Sequence, residues 1–300
     1  MSTSSFYDLN QRSGPLTCSD YGTNITTPGV SKTQRKRPKA PDSVRLYMLD
    51  CGKITNVGAT EFGFEDGEIA TEMFTPCYLI VHPKGTLMWD TGEIPDSELA
   101  DNGSPTTQRS YTVTKPLLTQ LAAIGYMPVD IDYLALSHYH NDHVANANLF
   151  AESTWLVQRA EHEVMFAAKP DTKRNGPILP NRKFFGALEN SKTKIIENKD
   201  HDVFGDGKVI IKFTPGHTPG HQSLFLRLYK AGPLLITGDL YHFYEEVNRA
   251  ADFVNHASNE RTTASRTEIE NFVKTERAQL WIPHDAGHSA TIKKAPDYYD

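Results

Sequence analysis

Several strand-sized apolar runs in this chain stop on an aspartate or a histidine. "TLMWDTG" (86–92), "IDYLALSHYH" (131–140), "PLLITGD" (233–239) and "LWIPHD" (280–285) all do so. A run of this length is buried as a strand, so its polar last residue must emerge at a sheet edge, where α/β folds present functional side chains. Other segments supply the remaining elements. "VRLYMLDCG" reads as a strand ending at Gly52, and "PCYLIVHPKGTLMWDTG" as a hairpin turning at Pro83-Lys84-Gly85. Leu117, Leu118, Leu121 and Ile124 recur at helical spacing, with Gly125 placed to cap. "STWLVQ" is a strand followed by the helix "AEHEVMFAA"; "KVIIKF" and "QSLFLRLY" are strands around a Pro/Gly turn; "RTEIENFVKTERAQ" is an amphipathic helix. Strands in groups separated by single helices point to a layered α/β protein. The Gly-adjacent aspartates closing "TLMWDTG" and "PLLITGD" suggest two sheets of related build facing each other.

The first 42 residues stand apart, being rich in Ser, Thr, Gly, Pro and Asn with no apolar stretch of signal-peptide type. They read as a polar arm or linker, and residues 43–300 as a single catalytic domain. The cytoplasm is the expected compartment, with the periplasm or exterior open if a leading segment was removed. Net charge is −6, which disfavours a polyanion partner, so no nucleic acid is expected. The longest apolar runs are too short to span a bilayer. The three cysteines are widely spaced and suggest neither a disulfide framework nor a thiolate metal site.

The segment "SHYHNDH" (137–143) places His138, His140, Asp142 and His143 within one turn. Residues 138 and 140 leave the same face of an extended strand end, and a sharp turn returns 142 and 143 toward them. Imidazole and carboxylate are first-choice ligands for zinc and similar ions. Four such groups are too many for one catalytic zinc, which takes three protein ligands and a water, so they read as parts of two adjacent sites. Uncompensated imidazoles crowded in a buried turn would be costly without an ion. His217 in "TPGHTPGHQS", Asp239 and His284 each close a strand-like run and are the candidate remaining ligands.

"HYHNDH" followed by "PGHTPGH", "TGD" and "PHD" resembles the metallo-β-lactamase superfamily, and within it most nearly the N-acyl-homoserine lactonases. The likeness runs over roughly residues 43–295 and includes "DTG" at 90–92, "GHQSL" at 220–224 and "GDLYHF" at 238–243. It implies a four-layer αββα sandwich holding two divalent metal ions per chain, zinc first, with manganese, iron or cobalt as alternatives. His138, His140 and His217 would hold one ion, and Asp142, His143 and His284 the other, with Asp239 bridging. Zinc-class β-lactamases often carry Cys in place of Asp239, and flavin-dependent di-iron relatives a carboxylate in place of His140; both differences favour a binuclear hydrolase.

The activity implied is opening of the homoserine lactone ring by a hydroxide bridging two ions, which lower its pKa. Asp142 would carry the proton to the leaving alkoxide. Lactonases of this family place a Tyr shortly after the bridging Asp to support the substrate carbonyl. Here the third residue after Asp239 is His242, flanked by Tyr241 and Tyr244, and Tyr241 is the favoured catalytic candidate. Phe62, Phe64, Met73 and Phe184, with Tyr241 and His242, are the expected substrate contacts, an apolar wall beside the metals suiting an acyl chain. The partner is a small lactone, with no membrane span and a homodimer allowed. His221 and Asp90 read as supports of the ligands, His284 is preferred to His288, and His82, His162, His201 and His256 read as surface residues. Three alternatives remain. One is hydrolysis of another small ester, lactone or organophosphate. A second is a glutathione thioesterase recruiting Lys173, Arg174, Arg182 and Lys183. The third, from another class, is a mononuclear iron dioxygenase of persulfides.

Overall fold

The computed structural model describes residues 37–99, 111–169, 178–250 and 256–300. Residues 1–36 of the expected polar arm (1–42), and Lys173 and Arg174, lie outside them. Residues Pro38–Asp300 belong to one unit of the chain. Its first sheet comprises β1 (Arg45–Thr55), β2 (Glu72–His82), β3 (Gly85–Trp89), β4 (Tyr111–Thr112), β5 (Tyr133–Ala135), β6 (Thr154–Gln158) and β7 (Thr193–Ile196). Their order is β4-β1-β2-β3-β5-β6-β7, antiparallel through β3 and parallel beyond it. The second sheet comprises β8 (His201–Asp202), β9 (Val209–Phe213), β10 (Gln222–Leu228), β11 (Gly232–Ile236) and β12 (Gln279–Trp281). Its order is β12-β11-β10-β9-β8, with β12 alone parallel to its neighbour β11.

Alternation along the strands builds the layers. Leu46 and Met48 of β1 enter one core with Ile80, Trp89, Ile211, Leu226 and Ile236, so this core lies between the two sheets. Their neighbours Tyr47 and Leu49 face the other way, into a core with Leu121 of α1 (Leu117–Ala123), and with Val164 of a helix at Arg159–Met165. On the far side of the second sheet, Phe225 and Leu235 pack against Ile269, which lies on a helix at Asn259–Glu276. Helix, sheet, sheet and helix thus form the expected αββα sandwich. Truncating a fully buried leucine such as Leu226 to alanine would cost about 2–5 kcal/mol.

Three features depart from the sequence reading. The helix expected to begin near Arg266 starts at Asn259, its first turn capped by the Ser258 hydroxyl accepting from Arg261 N. Its early buried face is Thr262 and Ser265, so hydropathy alone did not reveal it. The short strands β4, β7 and β8 add to the expected set. Finally, Cys51 and Cys77 form a disulfide between β1 and β2, where β1 bulges between Asp50 and Lys53. Their separation of 26 residues carries no hint of strand pairing; adjacency in the sheet brings them together.

Candidate metal centre

The strand ends converge on one edge of the sandwich. After β5 the chain leaves the sheet, His140 remains extended (φ −65°, ψ 152°), and a short helix α2 (Asn141–Val144) turns Asp142 and His143 back. His143 N–H closes this turn on the His140 carbonyl at 3.0 Å. The β9–β10 loop carrying His217 approaches its neighbours so closely that side chains are excluded. A Cβ on Gly216 (φ +142°) would lie 2.3 Å from Thr262 N, and one on Gly220 would lie 2.3 Å from Glu161 N. Gly238, with φ +57°, turns the chain after β11 so that Asp239 enters the same space.

Seven side chains meet there as two groups of four that share Asp239. In the first, His217 Nε2 lies 3.2 Å from His138 Nε2 and 3.0 Å from His140 Nδ1. Asp239 Oδ2 is 3.3 Å from His217 Nε2 and 3.6 Å from His138 Nε2. In the second, Asp239 Oδ1 lies 3.1 Å from His143 Nε2 and 3.0 Å from His284 Nε2. Asp142 Oδ2 is 3.3 Å from both of those nitrogens. The two oxygens of Asp239 therefore address different groups.

These residues suit divalent ions. His143 Nε2, His284 Nε2 and Asp239 Oδ1 are buried, and none forms an aligned hydrogen bond despite their proximity. The opposite ring nitrogens are engaged: His143 Nδ1 lies 3.0 Å from Asp90 Oδ2, and His284 Nδ1 lies 2.8 Å from the Phe74 carbonyl. An N–H donated at Nδ1 leaves the Nε2 lone pair facing the shared space, as a metal ligand requires. Burial lowers the pKa of His138 and His140 well below the usual imidazole range and brings His217 to about 4, keeping these rings neutral. His143 goes the other way. Burial opposes its charge, but Asp142, Asp239 and Asp90 raise its pKa well above normal. The carboxylates thus demand positive charge, which protein alone meets by protonating a ligand and a divalent cation would meet instead.

The supports are equally specific. Asp90 also accepts from Ser137 N at 2.6 Å, fixing the strand end that leads into the ligand loop. His221 is buried, and its Nε2 accepts from Asp239 N at 3.0 Å while Nδ1 lies 3.0 Å from the Thr214 carbonyl. His288 stands outside both groups, edge-on to Tyr244 and Trp281.

Two sequence expectations need correcting. Tyr241 does not face the site: its hydroxyl donates to Glu270 Oε1 at 2.9 Å, and its ring is buried with Leu235, Ile269 and Ile282. The backbone at Tyr241 is extended (φ −139°, ψ 143°), so successive side chains leave on opposite sides, and His242 takes the inward position. His242 Nε2 is 3.4 Å from Asp239 Oδ2, and its ring lies parallel to that of His284, centroids 5.9 Å apart. Burial opposes its charge, yet Glu246 and Asp239 raise its pKa to about 9. His256 and His82 are not surface residues. His256 Nδ1 lies 3.3 Å from His217 Nδ1, and His82 is buried against Phe204. Nothing in "VNHASNE" signalled the contact with His217.

Of the expected substrate residues, Phe62 packs 4.7 Å from the His242 ring. Phe64 and Met73 are buried behind it in a small core with Ile69 and Phe243. Phe184 lines a small cleft with Glu93, Ile94, Glu98, Tyr111 and Asn141, and Asn141 lies between the candidate ligands His140 and Asp142.

Comparison with known proteins agrees with this geometry. Residues 70–274 match the metallo-beta-lactamase superfamily. N-acyl homoserine lactonase AttM of Azorhizobium caulinodans is 33% identical over 270 residues, covering 86% of this chain and 99% of that protein. AttM of Agrobacterium fabrum is 32% identical over 269 residues, covering 85% and 98%. The crystal structure of a Bacillus thuringiensis AiiA variant with N-decanoyl-L-homoserine at its active site superposes with TM-score 0.68 at 25% identity, covering 85% of this chain and 98% of that one. The chain belongs to the metallo-beta-lactamase superfamily, in the branch of the N-acyl homoserine lactonases.

Proposed function

We propose that this protein is a binuclear metal-dependent hydrolase that opens the lactone ring of N-acyl-homoserine lactones. The observation that carries the binuclear reading is Asp239, whose two oxygens serve two separate ligand groups. The relatives named as lactonases supply the substrate class. His138, His140 and His217 would hold one ion, Asp142, His143 and His284 the other, and Asp239 both, with zinc first among the candidates. When bound, such ions supply a nucleophilic water at neutral pH and polarise the ring carbonyl.

The chain's own residues do the rest. Asp142 is the most open of the seven, its side chain 17% exposed against 5% for Asp239, and its neighbour Asn141 lines the cleft. His143 and His284 favour its ionised form although burial opposes it. As an ionised carboxylate at the more open side of the group, it would carry a proton to the departing alkoxide. His242, rather than Tyr241, would donate to the substrate carbonyl as charge develops there; its inward side chain and the Phe62 ring packed against it support this role. Phe184 and Phe62 border the space for the acyl group. The mononuclear dioxygenase alternative uses one ion and leaves the second group of four without a purpose.

Metal content of the purified protein and proton release from an acyl-homoserine lactone series test the reading. Two zinc-type ions per chain with ring opening are expected. Two ions without lactone turnover would redirect the assignment to other esters, thioesters or phosphotriesters, and a single iron would refute the binuclear hydrolase.

A further inference from the structure

Glu161 lies in the first turn of α3 (Arg159–Met165), is 3% exposed, and belongs to neither ligand group. Its carboxylate has neutral partners drawn from the two loops that deliver the first metal group. Oε1 accepts from Tyr139 N at 2.9 Å, and Tyr139 sits between His138 and His140. Oε2 accepts from Gly220 N at 2.8 Å, three residues past His217. The Thr218 hydroxyl, adjacent to His217, reaches both oxygens at 3.0 and 2.8 Å. Gly220 presses against α3 so closely that a Cβ there would stand 2.5 Å from Glu161 Cβ, which sets the loop at carboxylate reach.

Burying a carboxylate is costly unless its hydrogen bonds are satisfied, and here each bond ends within three residues of His138, His140 or His217. The second group is steadied otherwise, His143 by Asp90 and His284 by the Phe74 carbonyl. We propose that Glu161 is a positioning residue that preorganises the His138–His140–His217 half of the centre, so that its loss weakens one of the two metal sites and spares the other. The inference rests on the binuclear reading above.

The test uses Glu161→Gln in the full chain. Glutamine is isosteric but offers one acceptor oxygen and turns an amide N–H2 toward one of the backbone donors, so one loop is released. Zinc bound per chain is measured by equilibrium dialysis against buffered free zinc, and cobalt-loaded absorption spectra are compared with those of His217→Ala and His284→Ala. Wild-type protein should hold two ions. E161Q should need about 10–100-fold more free zinc for one of them, with the other within about threefold of wild type. Its cobalt spectrum at limiting metal should match that of His217→Ala. Unchanged affinity for both ions, or equal weakening of both, would overturn the proposal. If E161Q fails to fold, Thr218→Val removes one bond and is read the same way, with a smaller selective loss expected and a uniform or absent one refuting. A wild-type count below two would sink the binuclear reading and this inference together, whereas two ions without lactone turnover would sink only the substrate assignment.

Discussion

His242 is held at the metal centre by a buried ionic brace whose strength can be worked out. Arg266 is 1% exposed and Glu246 is fully buried. The guanidinium pairs through Nη2 with Glu246 Oε2 and donates through Nε to the Leu240 carbonyl at 2.8 Å. The other carboxylate oxygen, Glu246 Oε1, accepts from His242 N at 2.9 Å and Phe243 N at 3.0 Å. Arg266→Met preserves bulk but strands a buried carboxylate oxygen, at a cost of about 3–5 kcal/mol. The Leu240 carbonyl loses a donor as well, adding about 1 kcal/mol. At about 2–4 °C per kcal/mol for a large domain, the melting temperature should fall by roughly 8–24 °C. Adding Glu246→Gln removes the stranded charge, so the double variant should recover much of the loss. Urea titration and thermal melts of the zinc-loaded protein measure both effects. A loss below about 1 kcal/mol in Arg266→Met, or a double variant no better than the single, would refute this account of the brace.

Three further outcomes follow from the same geometry. His242→Ala should lower kcat by about 100-fold or more if its ring donates to the carbonyl, whereas Tyr241→Phe should stay within about threefold because that hydroxyl serves Glu270; steady-state lactone hydrolysis separates them. Chelator treatment should lower the denaturation midpoint, since an ion present at 1,000 times its Kd stabilises by about 4 kcal/mol per site, and zinc re-addition should restore it. Burial alone would raise the pKa of Glu246, but His242 and Arg266 hold it below 4.5. The stability this carboxylate contributes is therefore full above about pH 4.5 and lost as pH falls through its lowered folded value. The stability difference between wild type and Glu246→Gln, followed by urea titration against pH, should accordingly narrow only in acid.

What the sequence revealed and what it hid have separate physical causes. All seven residues of the two groups are legible because each lies in a segment that follows a buried strand, and such segments are readable from apolar runs, Pro/Gly turns and the dense spacing of "SHYHNDH". The side chain just beyond such an end is not. Whether Tyr241 or His242 turns inward depends on a one-residue phase in extended backbone, and both residues are plausible neighbours of a metal. Phe64 and Met73 carry the hydropathy of an acyl pocket and of a small closed core alike; only their packing with Ile69 and Phe243 tells which. In the sequence Glu161 is simply part of a helix, since its bonds to residues 139 and 220 exist only when the loops are brought together.

The arrangement also explains why the ligands are spread so unevenly along the chain. His138 to His143 leave β5 of the first sheet, while Asp239 and His284 leave β11 and β12 of the second. His217 comes from the loop joining β9 to β10 of that same second sheet. Each proposed metal group therefore draws ligands from both sheets, and an ion in either would tie across the core that Leu46, Met48, Ile211 and Leu226 fill. Asp239 belongs to the second sheet and reaches both groups, so a shift of one sheet against the other would disturb both ions through a single carboxylate. Sheet-to-sheet packing and ligand geometry are in this way one constraint, and the supports that meet it act at particular points: Asp90 at His143 and at Ser137, the Phe74 carbonyl at His284, and Glu161 at the Tyr139 and His217 loops.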